Sequence, residues 1–292
     1  MSVSDSADTA RSGRPSRHES FLIVRNFRYL KLAAALAVVS LILYLADVPY
    51  GSRYGGTWAG YALGTVGALL ILWLTWFGYR KRTYGQDHGV LVARLSAHVY
   101  LGLSLIVVAT LHTGFHFGWN IHTLAYALMC LVVASGAFGV FTYAHYPRLM
   151  TENRQSTTMR QMLGRIASLN DELRTGAMGL DDRSAALVRR SIESTEIGGS
   201  VWRQLSGNYP QCSTAAALAG FAGEATTGFS DSESATRQTR LLLEEKAALL
   251  TRVRQDISYK AIMDIWLYFH VPLSFALLAA LIAHVVAVFF LW

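Results

Sequence analysis

The sequence predicts an all-α membrane protein, five transmembrane helices in a bundle with a helical insert between the fourth and the fifth. Three observations carry that expectation. Of the 292 residues, 52% are hydrophobic and 15% are charged. Mean hydropathy is +0.30. Lys, Arg, Asp and Glu are absent from three runs: the 25 residues Gly55 to Tyr79, the 53 residues Leu95 to Pro147 and the 28 residues Ile265 to Trp292. A span needs roughly 20 apolar residues, and soluble cores do not contain uncharged runs this long. A soluble globular enzyme is therefore excluded. So is a nucleic-acid binder, despite the net charge of +7 and a pI of about 9.5, because a basic excess in such a chain is read first as topology.

The elements follow in chain order. Residues 1–28 are rich in Ser, Arg and Asp with no apolar core, which reads as a disordered basic tail and not as a cleavable signal peptide. Residues 29–147 hold spans one to four. The first runs from about Leu30 to Tyr50, with Lys31 placed to snorkel, and the second from about Trp58 to Tyr79, stopping at Arg80-Lys81-Arg82. The 53-residue run must hold two spans, since one helix of that length would reach ~80 Å. Its break falls at Phe117-Gly118-Trp119-Asn120, where turn formers meet an interfacial Trp. Span three is then about Leu91 to Phe117, span four about His122 to Tyr143, and span five lies within 264–292.

Counting Lys and Arg in the loops orients the bundle. Six lie in the N-terminal tail through Lys31, and Arg80, Lys81, Arg82 and Arg94 surround the turn before span three. Arg148, Arg154, Arg252, Arg254 and Lys260 flank the insert, whereas the loop before span two has only Arg53. All basic segments fall on one side if the N-terminus is cytoplasmic and the C-terminus outside. Arg outnumbers Lys 22 to 4, which suggests a GC-rich bacterial source and hence the bacterial inner membrane.

Residues 148–263 form the expected cytoplasmic insert. Apolar spacing predicts helices over Thr157 to Leu173 and Asp181 to Ser194, and Ser206-Gly207-Asn208-Tyr209-Pro210 breaks the pattern. Ser232 to Met263 reads as one helix with Leu243, Leu250 and Ile257 on a seven-residue stripe, continuing into span five. The insert reads either as a hairpin packed on itself or as a docking surface for a cytoplasmic partner. Cys130 and Cys212 provide no disulfide framework, no thiol-pair zinc site, no Cys-x-x-Cys-His haem attachment and no iron–sulfur ligand set.

Six of the nine histidines lie in or beside spans. His98 and His112 are 14 residues apart in span three, and His270 and His284 are 14 apart in span five. Fourteen residues turn a helix through about 1400°, close to four whole turns, and advance it about 21 Å. Each pair therefore shares a face, and the two spans run in the same direction. The chemistry that needs this arrangement is bis-histidine ligation of two b-type haems stacked across the bilayer. His98 would pair with His270 on the cytoplasmic side, and His112 with His284 on the outer side. His116 is the alternate to His112, but would sit about 27 Å from His98 and mismatch the other helix by a turn. Arg94 stands where an inner haem propionate would emerge, or serves only as a positive-inside anchor. Gly102, Gly136 and Gly139 would permit close approach of a porphyrin face, and Pro272 predicts a kink in span five. His116 and His122 are read as outer-surface residues. Intramembrane histidines also serve metal and proton pathways, so that chemistry stays open.

The stretch Leu95-Ser96-Ala97-His98 through His112-Thr113-Gly114-Phe115-His116, with the matching pair in span five, resembles the transmembrane domain of the ferric reductase and NADPH oxidase superfamily. The resemblance covers about Leu30 to Pro147 and Ile265 to Trp292. It implies a diheme cytochrome b-like bundle in which His98, His112, His270 and His284 are axial ligands. That family continues into a sixth helix and a flavin- and nicotinamide-binding domain. This chain ends at Trp292 without a Gly-rich phosphate loop, so no FAD or NAD site is expected in it. The expected function is an electron-transfer (oxidoreductase) subunit carrying electrons across the bilayer, with partner redox subunits and quinone, ferric iron, oxygen or another protein as acceptor. The rivals are a histidine-dependent metal or proton transporter and a membrane sensor.

Overall fold

The computed structural model describes residues 26–49, 52–83, 88–222 and 231–290. The expected tail through residue 25, the side chains of Arg80, Lys81 and Arg82, and Trp292 lie outside the described residues. Those residues form helices α1 (Arg28–Ala46), α2 (Trp58–Thr83), α3 (His88–Thr113), α4 (Ile121–Arg154), α5 (Met159–Gly176), α6 (Asp182–Glu193), α7 (Val201–Ser206), α8 (Thr214–Ala222) and α9 (Asp231–Phe290), with a 3-10 turn at Ala177–Gly179. No strand occurs among them. Helices α1, α2, α3, α4 and α9 are each long and apolar enough to cross a membrane. Their outward faces expose Ile42, Leu69, Leu131 and Ile282, where a soluble protein would carry charge. The protein is an integral membrane protein.

The chain divides into two compact units, residues 1–137 with 270–292, and residues 138–269. In the first, Leu63, Val108 and Leu111 pack with Leu36, Tyr44 and Val66, joining α1, α2 and α3. Ile71, Leu105, Met129 and Leu277 form a second cluster that joins α2, α3, α4 and α9. Polar links lock the register: Thr110 Oγ1 on α3 lies 2.9 Å from the Tyr126 hydroxyl on α4. Arg53 closes the end of α1 by donating to the carbonyls of Asp47 and Leu45, at 2.8 and 3.4 Å. Last-turn carbonyls otherwise lack a partner.

The turn after α3 begins earlier than the composition predicts. Helix α3 ends at Thr113, not at Phe117, because Gly114 and Phe115 both adopt left-handed backbone (φ 56° and 62°). A Cβ at position 114 would stand 2.1 Å from the Arg53 carbonyl oxygen, so only glycine fits this crossing. Asn120 then caps α4, its Oδ1 accepting from the Thr123 N–H at 2.9 Å. Helix α4 likewise overruns its expected end, passing through Pro147 to Arg154. One proline removes a single backbone donor, and the last turn is held from outside: Asn153 donates to the Arg252 carbonyl and to Asp256 Oδ1, both at 2.8 Å, and Arg154 pairs with Asp256. Helix α9 is continuous through Pro272.

The second unit packs on itself around the first half of α9. Leu173, Val188, Ala217, Phe221 and Leu243 make one core, and Met162, Ile166, Leu250 and Val253 make another. The stripe Leu243, Leu250, Ile257 thus faces inward. Thr158 and Gln161 form a capping box that starts α5, and Asp181 caps α6 by accepting from the Arg183 and Ser184 N–H groups. Helices α7 and α8 flank the predicted break at Ser206 to Pro210, in residues for which the sequence predicted no helix. Gly207 ends α7 with φ +63°.

This unit also buries a lysine. Lys246 has no exposed surface, and its ammonium donates to the Ser191 carbonyl at 2.9 Å and the Ser191 hydroxyl at 3.2 Å. The Ser191 hydroxyl continues to Thr214 Oγ1 at 3.1 Å, which also receives the Cys212 thiol at 3.6 Å. Burial pulls the Lys246 amine down to about 8, although the charge on Cys212 raises it. Burial pushes the Cys212 thiol up, but hydrogen bonds from Thr214, Glu196 and Arg254 outweigh it and bring it down to about 7. Both groups bind protons less tightly in the folded chain than in the unfolded one. The unfolded state therefore holds more protons across pH 7 to 9, and stability rises with pH over that window. Thermal unfolding of the full chain in detergent is expected to shift upward by a few degrees, on the order of 1 kcal/mol. Lys246→Met should flatten the dependence.

Candidate functional site

The histidines of α3 and α9 do not stand alone on their helices. His112 Nδ1 lies 2.7 Å from the Gly60 carbonyl oxygen on α2. A carbonyl only accepts, so Nδ1 carries the proton and Nε2 keeps the lone pair that binds metals. The ring lies against α2, where a Cβ at Gly64 would approach His112 Cε1 to 2.7 Å and Nδ1 to 2.9 Å. His270 is set in the same way. The Ser135 hydroxyl on α4 donates to the Val132 carbonyl at 2.8 Å and stands 2.7 Å from His270 Nδ1. With its own proton on the Val132 carbonyl, the hydroxyl offers a lone pair to the imidazole, an arrangement in which His270 Nδ1 carries the proton and Nε2 takes the ligating form.

His284 brings α9 to the same end of the bundle as His112. Their ring centroids are 6.0 Å apart, at an interplanar angle of 78°. His122, at the start of α4, is closer still, with its Nδ1 2.6 Å from His284 Nδ1 and the centroids 4.6 Å apart. The expectation that His122 lies at the surface is thus corrected. It is half-buried and joined to an α9 histidine. His116 lies beyond the end of α3, exposed, its Nδ1 taken by the Gly114 carbonyl at 2.8 Å, so His112 and not His116 is beside His284. His98 and Arg94 are both half-buried on α3.

The three glycines differ. A Cβ at Gly102, one turn beyond His98, would meet no heavy atom within 4 Å. At Gly136 it would touch His270 Cε1 at 3.5 Å. At Gly139 it would run into the Trp266 indole at 2.2 Å, so the space over this glycine is filled by a side chain. Sequence reasoning also missed Gly60, Gly64 and Ser135. A glycine cluster from Gly55 to Gly67 in the second span, and a hydroxyl in the apolar run of the fourth, were the available signals.

Among the described residues, no group of three or more His, Cys, Asp or Glu is arranged to hold a metal ion. What the arrangement offers is imidazoles acting in pairs. No protein-family model matches the chain, and neither a curated protein nor a solved structure does.

Proposed function

We propose that the protein is a b-type cytochrome of the membrane, carrying electrons between its two faces through two bis-histidine haems. One observation carries the reading: His112 and His270, 158 positions apart, are both held through Nδ1 by an oxygen on a neighbouring span, leaving Nε2 in the ligating form. Metal-binding histidines almost always show this second bond. The residues present fit the group. A metal–imidazole bond is about 2.0–2.1 Å, so two imidazoles sharing a metal place their ring centroids roughly 6 Å apart, as His112 and His284 do.

His112 and His284 would hold one haem, and His98 and His270 the other, ~21 Å further along the helices. Haem so bound supplies a one-electron ferric–ferrous couple whose potential the protein sets. The chain's own part is to orient four imidazoles, keep water from them inside an apolar bundle, and leave room beside Gly102. Loop charge supports a cytoplasmic N-terminus and the Arg-rich composition a bacterial inner membrane, with His98 and His270 on the cytoplasmic side and Arg94 near a propionate. Partner redox subunits, a quinone among the candidate carriers, would deliver or take up electrons. A ferric reductase-like relation rests on the histidine spacing and helix order.

The test is a dithionite-reduced minus oxidised spectrum of the detergent-purified chain, with a pyridine haemochrome count. About two b haems per chain are expected. A colourless protein, expressed with adequate haem, would overturn the reading. The His122–His284 hydrogen bond would then favour the second one, a proton or metal path through the histidines. Gly64→Val offers a sharper check. The branched side chain must displace the His112 ring from Gly60, so the variant is expected to lose roughly one haem of two while its helix content, read by circular dichroism, stays unchanged.

A further inference from the structure

The contact between His122 and His284 is not used by ligand pairing. Their Nδ1 atoms are 2.6 Å apart with the rings nearly perpendicular, at 87°. No metal ion fits between nitrogens that close, since each metal–imidazole bond takes about 2.0 Å. The two atoms share a proton, one as donor and the other as acceptor. We propose that His122 is the positioning residue for His284: its Nδ1 accepts the His284 Nδ1–H, fixing the tautomer in which His284 Nε2 ligates and raising the donor strength of that imidazole. The inference rests on the haem reading above.

Each of three histidines receives an orienting partner from another helix, and the partners differ in kind. His112 donates to a carbonyl oxygen on α2, and His270 to a hydroxyl oxygen on α4. His284 is met by an imidazole nitrogen instead. Imidazole nitrogen is a stronger base than either oxygen, so it draws the shared proton further and gives His284 more imidazolate character. A more basic axial ligand favours ferric iron and lowers the potential. His122 therefore gives His284 a stronger acceptor than the oxygens at His112 and His270. With the opposite proton placement, His122 donating, the His284 proton would sit on Nε2 and the ligand would be lost.

The test compares the wild-type chain with His122→Ala and His122→Gln by haem count, redox titration at the α band and low-temperature EPR. His122→Ala is expected to keep about two haems and to raise one of the two midpoint potentials. The shift should be about tenfold in the reduced-to-oxidised ratio at fixed ambient potential, which is 59 mV for one electron. One set of low-spin g values should move and the other stay. His122→Gln, whose amide oxygen still accepts a proton, is expected to return part of the way. If both potentials and all g values are unchanged in His122→Ala, the inference is overturned. Loss of one haem in both variants also overturns it, since His122 would then be needed for haem retention whatever acceptor stands there. Should the alanine variant fail to accumulate, the glutamine variant carries the same readouts, with an intermediate shift supporting the inference and wild-type values opposing it. A wild type without haem defeats the underlying reading instead, and does so before any substitution is made.

Discussion

Substitution of His112 by Ala is expected to take the haem content from about two per chain to about one, and His284→Ala should do the same. In both variants the surviving haem should titrate as a single species. His116→Ala should leave two. The contrast comes from geometry rather than from residue type. His112 is half-buried, bonded through Nδ1 to Gly60, with its ring centroid 6.0 Å from that of His284, whereas His116 is exposed beyond the helix end and bonded to Gly114. Pyridine haemochrome counts on the purified variants decide it. A one-haem His116→Ala beside a two-haem His112→Ala would mean that the loop after α3 re-folds on binding, and would return His116 to the ligand set. Because Gly64 and His112 share one contact, Gly64→Val and His112→Ala should give the same residual spectrum. Different spectra would mean that the glycine acts elsewhere.

Much of the bundle could be read from charge alone. The three uncharged runs predict four spans and the apolar stretch from Leu30 to Tyr50 a fifth, and five helices of the required length and polarity are present among the described residues. The fourteen-residue interval was legible because helical geometry turns a sequence distance into a shared face. The ends of helices were not, because they depend on neighbours. Helix α3 stops at Thr113 since Gly114 must pass under the Arg53 carbonyl, and Arg53 lies more than sixty residues away in sequence. Helix α4 survives Pro147 because Asn153 and Arg154 reach Asp256, about a hundred residues on. Neither partner can be read from local composition.

The candidate site shows the same division. Which histidines share a helix face is a local property, and periodicity gives it. Which atom each imidazole presents is set by its second nitrogen, and those partners, Gly60, Ser135 and His122, belong to other helices. His122 was placed at the surface because it opens a span next to Trp119 and Asn120. Its side chain instead turns toward α9. In the insert, the apolar spacing over Thr157 to Leu173 and the Leu243, Leu250, Ile257 stripe were readable, being short-range signals. Helix α8 was not, since Thr214–Ala222 contains no charged residue to mark one face from the other, and its Ala217 and Phe221 acquire a face only by packing on Val188 and Leu243.

Asp256→Ala is expected to destabilise the protein by about 3 kcal/mol, toward the lower end of what breaking a buried ion pair costs. Asp256 has no exposed surface, while the Arg154 side chain keeps 34% of its own. Removing the carboxylate takes one of two acceptors from Asn153 Nδ2 and leaves it the Arg252 carbonyl. The guanidinium can turn part of itself to water, which limits the loss. Losing the whole pair should be milder than losing the acid, because Arg154→Met with Asp256→Leu leaves no unpaired buried charge. The exposed pair Arg148–Glu152 supplies the control. Its side chains are 81% and 56% exposed, so Glu152→Ala should change stability by less than about 0.5 kcal/mol. Thermal unfolding of the three variants in one detergent orders them. Since Asp256 ties the last turn of α4 to α9, limited proteolysis of Asp256→Ala should cut first near residues 150–158. Cleavage that stays as slow there as in the wild type would show that Pro147 and the turns around it are held by packing alone.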